Sequence, residues 1–310
     1  MFLSLSTYLK ILSFLPSPNS ESKRDRTSLL QKLSDFYANA DFLNGYHVKQ
    51  TLIRQYSRYP LFSPLLIKGL IVNICFDEYL KRGHVSFRNQ LLFKLYVHLS
   101  RSKLTGQSFH SFKKNLVIIA PTANGEQLFS EFASSIKFNQ ATFEIARLNS
   151  SASYDLETSN YPTTVTYYNK QTLQSITRSL PDFVPNATHI LLKSASSLAS
   201  LHSSVSKNVY RISKFAKPFT GEYNGFPHFL LSLIDYKFDN IYTFGFDLQL
   251  QASRSPGYSL GYSSTPSTTS DYKQIFLRSS SSLQHDPSDQ FMILFLLYKL
   301  NHFHPDSALM

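Results

Sequence analysis

The chain has a single cysteine among its 310 residues, and this scarcity excludes an internal disulfide framework. Proteins without disulfides are more typical of reducing compartments than of secretory lumens. Cys75 lies in the apolar run Leu-Ile-Val-Asn-Ile-Cys-Phe. We therefore expect Cys75 to pack as an inert core residue.

A long uninterrupted apolar run is also missing at the start of the chain. The opening Met-Phe-Leu-Ser-Leu-Ser-Thr-Tyr-Leu-Lys-Ile-Leu-Ser-Phe-Leu-Pro is short, contains Lys10 and has no basic leader. It predicts neither a membrane span nor a signal peptide. We expect instead a helix packed on the body of the protein, the alternative being an amphipathic helix on a membrane surface. With 42% apolar residues, the chain can bury a core in one large or two modest domains.

Acidic residues are scarce, with 20 Asp and Glu against 31 Lys and Arg, so the net charge is +11. Residues 1–110 hold 15 basic and 6 acidic residues, whereas 111–310 hold 16 and 14. The basic first part predicts a surface that meets membrane headgroups or acidic glycolipid, and a merely solvated face is the alternative. No nucleic-acid-binding motif occurs, and the one dense basic block is Lys23-Arg24-Asp25-Arg26, so a nucleic-acid partner is not expected.

Periodicity changes near residue 110. Apolar residues recur at helical spacing from Ser28 to about Ser102, which predicts a mostly helical segment over 1–110. Short β-branched runs then alternate with amphipathic stretches; the runs are 116–120, 143–147, 165–168, 189–193, 209–212 and 241–246. This alternation predicts an α/β domain over 111–310, with a Rossmann-like, mostly parallel sheet and helices on both faces. The segment 248–283 is rich in Ser, Tyr, Gly and Pro and too long for an ordinary connection, which predicts a mobile lid over a site.

Two asparagines close predicted strands. Asn149 ends Phe-Glu-Ile-Ala-Arg-Leu-Asn and Asn169 ends Thr-Thr-Val-Thr-Tyr-Tyr-Asn. Ligands of open α/β sheets bind at the carboxyl ends of the strands, where an amide can read the edges of a nucleobase or ribose. The alternative for both residues is loop capping or turn formation.

The order of the motifs resembles the sialyltransferases, especially the bacterial family 42. The resemblance covers about 113–300 and rests on the strand Val117–Ala120, Arg147-Leu148-Asn149, Asn169, Phe219-Thr220-Gly221 before a helix, a strand ending Gly245-Phe246-Asp247, and His285 with Asp289 at a closing helix. It implies a GT-A-variant fold. It also implies an inverting transfer of sialic acid, or a related acidic keto-sugar, from a cytidine-monophosphate (CMP) sugar to a glycan hydroxyl.

The resemblance also implies roles for individual residues. These are nucleotide contacts by Asn149, Asn169, Thr220 and Gly221, phosphate contacts by Tyr258 and Tyr262, a catalytic base at His285, and support from Asp247 and Asp289. The family's glycine-rich first turn is replaced here by Pro-Thr-Ala-Asn-Gly. The phosphate-side or ribose contact that the family makes there would be made by Thr122 or Asn124, or be lost.

Each of these roles has a structural alternative. Thr220 can cap a helix, Asp247 can anchor a strand end, and His285 can be a solvent-facing helix cap. The two tyrosines can pack or be exposed like any others.

No metal cofactor is expected, because Asp-x-Asp occurs nowhere and a monophosphate leaving group can be stabilised by hydrogen-bond donors alone. The segment His302-Phe303-His304 has no carboxylate or cysteine at ligand spacing, so we do not expect it to bind a metal ion. The expected partners are a CMP-sugar, a glycan or glycolipid acceptor, and an anionic membrane contacted through residues 1–110.

Because one cysteine cannot form the disulfide of the animal enzymes, the resemblance favours the bacterial branch. The expected location is then the cytoplasm, at the periphery of the inner membrane. One alternative is a pterin diphosphokinase-like enzyme, which would need nucleoside triphosphate and magnesium. The other is a non-catalytic module that binds nucleotide or glycan.

Overall fold

The structure is a computed structural model that describes residues 64–100, 112–120, 124–136, 138–148, 161–180, 182, 184–193, 209–211, 225–236, 238–246 and 287–306, with scattered positions between 32 and 48. The chain divides into two compact units. The first comprises Met1–Ser100, Phe215–Asn224 and Ser267–Leu296. The second comprises Arg101–Lys214, Gly225–Pro266 and Leu297–Met310.

Two antiparallel helices dominate the described part of the first unit: α1 (Pro64–Arg82) and α2 (Phe87–Ser100). The helix α1 ends at Gly83, which has the left-handed φ of 71° and donates its N–H to the carbonyl of Tyr79 (2.8 Å). The helix α2 begins with a reciprocal cap: Asn89 N donates to Ser86 Oγ (3.1 Å), and Ser86 N donates to Asn89 Oδ1 (3.0 Å). Both helices lie within the stretch for which helical spacing was predicted.

Cys75 lies in α1 against α2. Its neighbour Asn89 is buried and donates Nδ2 to the Cys75 carbonyl (2.6 Å), while Cys75 Sγ donates to the Asn89 carbonyl (3.4 Å). The pKa of the Cys75 thiol is raised to about 11, mainly by burial. The hydrogen bond with the Asn89 side chain lowers this pKa, and the nearby Glu78 charge raises it. The prediction that Cys75 packs in the core is confirmed.

The second unit contains a seven-stranded sheet in the order β5-β4-β3-β2-β1-β6-β7, in which every neighbouring pair is parallel. The strands are β1 (Asn115–Ile119), β2 (Phe143–Leu148), β3 (Val165–Tyr168), β4 (His189–Leu192), β5 (Val209–Arg211), β6 (Asn240–Phe244) and β7 (His304–Pro305). The six predicted strands are all present. The seventh, β7, was not predicted, because two residues are too short to show a period.

Helices cover both faces of the sheet. The helices α3 (Gly125–Ser135) and α4 (Lys170–Ser179) lie on one face, where Phe129 packs with Val117 and Ile145, and Leu173 packs with Tyr168. The helix α5 (Gly225–Leu233), which continues as a 3-10 turn to Tyr236, lies on the other. There Phe229 meets the ring of Tyr167 at 5.6 Å.

Right-handed crossovers explain this division, because the chain moves one way from β1 to β5 and the opposite way from β5 to β6. The fold class, a Rossmann-like α/β sheet, is confirmed. A last helix, α6 (Pro287–Lys299), precedes β7. None of the helices in the described part of the chain is long and apolar enough to cross a bilayer.

Candidate functional site at the carboxyl edge of the sheet

The sheet has a topological switch point between β1 and β6. These strands are neighbours and stay paired past the end of β1, where Ala120 N donates to the Phe244 carbonyl (2.8 Å). After β1 the chain continues through α3 to β2 and on to β5 at the edge of the sheet. It then returns from β5 to the other side of β1 and forms β6. Crevices at such points are the usual ligand sites of open α/β sheets.

The strand β6 stops at a tight turn. Gly245 has a φ of 74°, which only glycine adopts without strain, and its N–H donates to Asp306 Oδ2 (2.5 Å). Asp306 in turn donates its N–H to the carbonyl of Thr243 (3.1 Å). The residue after β7 therefore holds the end of β6. This turn explains why β6 is shorter than the predicted run 241–246.

The first turn of α5 lies against the same edge. A Cβ built on Gly225 would be 3.4 Å from Tyr167 Cε1 and 3.8 Å from Leu148 Cδ2, so α5 begins close to the ends of β3 and β2. The ring of Phe226 stacks on Phe246, which follows β6, with centroids 3.5 Å apart and planes 9° apart. Three strand ends therefore meet the amino terminus of one helix.

A buried ion pair joins β2 to the first turn of α3. Arg147 Nε lies 2.7 Å from Glu126 Oε1, and Arg147 Nη2 donates to Glu126 Oε2 (3.0 Å). The remaining Nη1 donates to the Tyr161 carbonyl (3.0 Å) and to Thr163 Oγ1 (2.8 Å). Arg147 is only 2% exposed. A two-pronged arginine–carboxylate pair of this kind is strong and directional.

The pair connects two segments that carry predicted site residues. Glu126 follows Asn124 by two positions, and Arg147 precedes Asn149 by two. Arginine inside a predicted strand was the available signal, since a buried guanidinium requires a carboxylate partner. Sequence reasoning used Arg147 only as part of a motif and missed Glu126 altogether.

Two of the predicted site residues lie at this edge and are described. Asn124 precedes α3; it is exposed, and its side chain makes no capping hydrogen bond. Asn169 is half-buried and is the N-cap of α4, where its Oδ1 accepts from Thr172 N (2.8 Å). Capping, the structural alternative for Asn169, is therefore present.

The other predicted site residues fall outside what the structure describes. These are Thr122, Asn149, Thr220, Gly221, Asp247, Tyr258, Tyr262 and His285. Asp289 belongs to α6, but only its backbone is described. The lid predicted over 248–283 is likewise outside the described residues. Roles for all of these residues stay predictions.

A second polar cluster lies at the opposite, amino edge, on the face of α5. The buried Glu144 accepts from Lys113 N at Oε1 (3.2 Å), and the same oxygen is 4.0 Å from His189 Nε2. The ring of Phe112 covers His189 at 4.3 Å. Burial lowers the pKa of His189, the Glu144 carboxylate raises it, and the Lys113 cation lowers it. This cluster was not predicted.

Among the described residues, no three His, Cys, Asp or Glu side chains lie close enough to hold a metal ion. His304 instead stacks on Tyr242 with centroids 5.1 Å apart. No protein-family model matches the chain, and no curated protein or solved structure is significantly similar to it.

Proposed function

We propose that the protein is an inverting glycosyltransferase that moves sialic acid, or a related acidic keto-sugar, from a CMP-sugar to a glycan hydroxyl. The observation that carries the proposal is the run β3-β2-β1-β6 within an all-parallel sheet. Each of these strands is followed directly in the sequence by predicted site residues: Asn169, Asn149, the 121–124 turn and Gly245–Asp247. Because parallel strands end at one edge, this order supports a single nucleotide crevice there.

The side chains and the helix terminus at this edge suit a nucleoside monophosphate. The exposed amide of Asn124 can meet the edges of a base or ribose, and Asn169 places a second amide side chain at the same edge. The first turn of α5, packed on Leu148 and Tyr167, presents backbone N–H groups and the positive end of the helix dipole. Both favour the phosphate of CMP, the leaving group of the proposed reaction.

Acceptor activation is assigned to His285, which follows the predicted lid in the sequence and precedes α6. Histidine is suited to remove a hydroxyl proton near neutral pH. Departure of CMP is assigned to hydrogen-bond donors, with Tyr258 and Tyr262 as candidates, and no metal ion is required.

Nucleotide binding is tested by calorimetry with CMP. Asn169→Ser keeps an oxygen acceptor for the α4 cap but removes the amide, and Asn149→Ala removes the other amide. Each should weaken CMP binding by about 1–3 kcal/mol, the cost of leaving polar partners unpaired. Asn139→Ser, in the turn before β2 at the opposite edge, is the matched control and should bind CMP normally. Unchanged affinity in both site variants would refute the nucleotide site.

Catalysis is tested by release of CMP from a panel of CMP-sugars, with and without glycan acceptors. His285→Ala should bind CMP normally yet react at least about a hundredfold more slowly. Wild-type activity should survive excess EDTA. Loss of activity that magnesium restores would favour the pterin diphosphokinase-like alternative. Tight CMP binding without any turnover would identify a non-catalytic module.

A further inference from the structure

The outer side of α2 differs from that of every amphipathic helix on the sheet. Four large apolar side chains are exposed along it: Phe87 (74%), Leu91 (50%), Leu95 (44%) and Leu99 (39%). They recur every fourth residue, so they form one stripe about 18 Å long within an arc of about 120°. We call these four residues, with the exposed Arg88, Lys94 and His98 beside them, the outer face of α2.

A comparison with α3 shows how unusual this face is. The exposed residues of α3 are all polar: Gln127, Ser130, Glu131, Ser134 and Ser135. The helix α3 therefore has one apolar side, which packs on the sheet, and one side that water solvates. The helix α2 carries apolar side chains on both sides, although Arg88, Lys94 and His98 flank the outer stripe. Four large apolar side chains exposed in one stripe are typical of a surface that contacts a partner.

The side of α2 opposite the outer face is already buried inside the protein. Phe93, Tyr96 and Val97 are buried, and Asn89 bonds to Cys75 in α1. The outer face cannot turn inward without breaking these contacts. Within the described part of the chain it is therefore an exposed surface and not a misoriented core.

Charge identifies the class of partner. The helix α2 contains no Asp or Glu, and Lys81 and Arg82 add two more cations in the last turn of α1. Glu78 pairs with this group, at 3.2 Å from Arg82 and 3.5 Å from Arg88. Even with the neighbouring Asp77, two carboxylates are set against Lys81, Arg82, Arg88 and Lys94, so positive charge is in excess. A second copy of the chain would bring this positive face against itself, which is unfavourable.

We propose that the outer face of α2 docks on a membrane surface that contains anionic lipid. Phe87 and the three leucines would enter the boundary between headgroups and acyl chains, with α2 lying in the plane of the membrane. The long stems of Arg88 and Lys94 flank the stripe and carry their charges outward to lipid phosphates. This docking is independent of the proposed transferase activity.

The test is vesicle flotation with the full-length protein, without nucleotide or acceptor. Wild type should float with vesicles of equal parts phosphatidylglycerol and phosphatidylcholine, and binding should weaken as salt rises above about 0.15 M. Leu91→Gln/Leu95→Gln should bind on the order of a hundredfold more weakly, about tenfold per leucine removed. Lys94→Gln should bind about fivefold more weakly.

Leu180→Gln is the matched control, because Leu180 is exposed to a similar extent (42%) at the end of α4. It should bind vesicles as the wild type does. Lys94→Gln and Phe87→Ser are tested in parallel, so the proposal does not depend on the folding of the double variant. Circular dichroism should show wild-type helicity for each.

Three outcomes would overturn the proposal. The first is a wild type that does not float, or that floats equally well with pure phosphatidylcholine. The second is binding unaffected by Leu91→Gln/Leu95→Gln, Phe87→Ser and Lys94→Gln. The third is a wild-type dimer in sedimentation that these variants dissociate, since the face would then join two copies of the chain.

Discussion

The strand β2 carries a buried charged residue near each end, and the two charges are stabilised by different kinds of partner. Arg147, near the carboxyl end, faces α3 and makes four hydrogen bonds, two of them to the carboxylate of Glu126. Glu144, near the amino end, faces the other side, where its Oε1 accepts one backbone N–H and lies 4.0 Å from His189. The first end is held by an arginine–carboxylate pair, whereas the second includes a histidine whose pKa is lowered by burial.

This difference matters because the proposed nucleotide crevice is at the carboxyl end. A two-pronged arginine–carboxylate pair is strong and directional, so the link between β2 and α3 holds the carboxyl end in place. We therefore expect the two ends of β2 to respond differently to substitution and to pH.

The largest effect is expected when the carboxyl-end pair is broken. Glu126→Ala leaves Arg147 buried without its carboxylate, which should lower the free energy of unfolding by about 3–5 kcal/mol. Urea denaturation measures this loss. Glu131→Ala, on the exposed side of the same helix, is the control and should have little effect.

A double variant sharpens this result. Replacing both partners, as in Glu126→Leu/Arg147→Met, should recover much of the stability that Glu126→Ala loses, because no unpaired charge remains buried. If Glu126→Ala were no more costly than Glu131→Ala, the pair would not hold the carboxyl end of β2.

A smaller effect is expected from the cap of α4 at the same edge. Asn169→Ala removes the acceptor for Thr172 N and should cost about 1 kcal/mol in urea denaturation, whereas Asn169→Ser should cost almost nothing. Asn124→Ala is the comparison, because the Asn124 side chain makes no such bond. Equal losses for Asn169→Ala and Asn124→Ala would contradict the capping role.

The smallest effect is expected at the amino end of β2 and concerns pH. Burial holds the pKa of His189 below its ordinary value of about 6.5, so the unfolded chain takes up this proton first as the pH falls. The associated stability is complete above about pH 6.5 and is lost progressively below it, towards the folded pKa. His189→Gln should therefore reduce the loss of stability between pH 7 and pH 5, measured by thermal denaturation.

Glu144→Gln tests the opposing influence on the same histidine. Without the carboxylate that raises it, the pKa of His189 should fall further, and the loss of stability on acidification should become steeper. Identical pH dependence in wild type, His189→Gln and Glu144→Gln would show that the amino end does not titrate in this range.

The sequence predicted the strands and the α/β class because both follow from local pattern. Short β-branched runs between amphipathic segments can bury their side chains only in a sheet covered on both sides. The limits of the pattern are visible at β6, where the apolar run continues through Phe246 but the strand ends at Gly245. The turn depends on Asp306, which is 61 residues away in the chain.

The positions of two candidate residues follow from the same local pattern. Asn169 directly follows the predicted strand 165–168 and Asn124 lies in the predicted turn after 116–120, so both could be placed at the carboxyl edge, where the structure has them. The partners of buried charges could not be read from the sequence, because Glu126 and Arg147 are 21 residues apart.

The sequence by itself determined where six of the seven described strands form, since the periodicity of apolar residues is a local property. Only the tertiary structure decided the strand order, the switch point between β1 and β6, and which charged residues meet inside the second unit. It also decided that Phe87, Leu91, Leu95 and Leu99 are exposed, although their side chains are as apolar as those that fill the core. The physical reason is that burial and ion pairing depend on contacts between distant segments, which the fold creates and local sequence does not record.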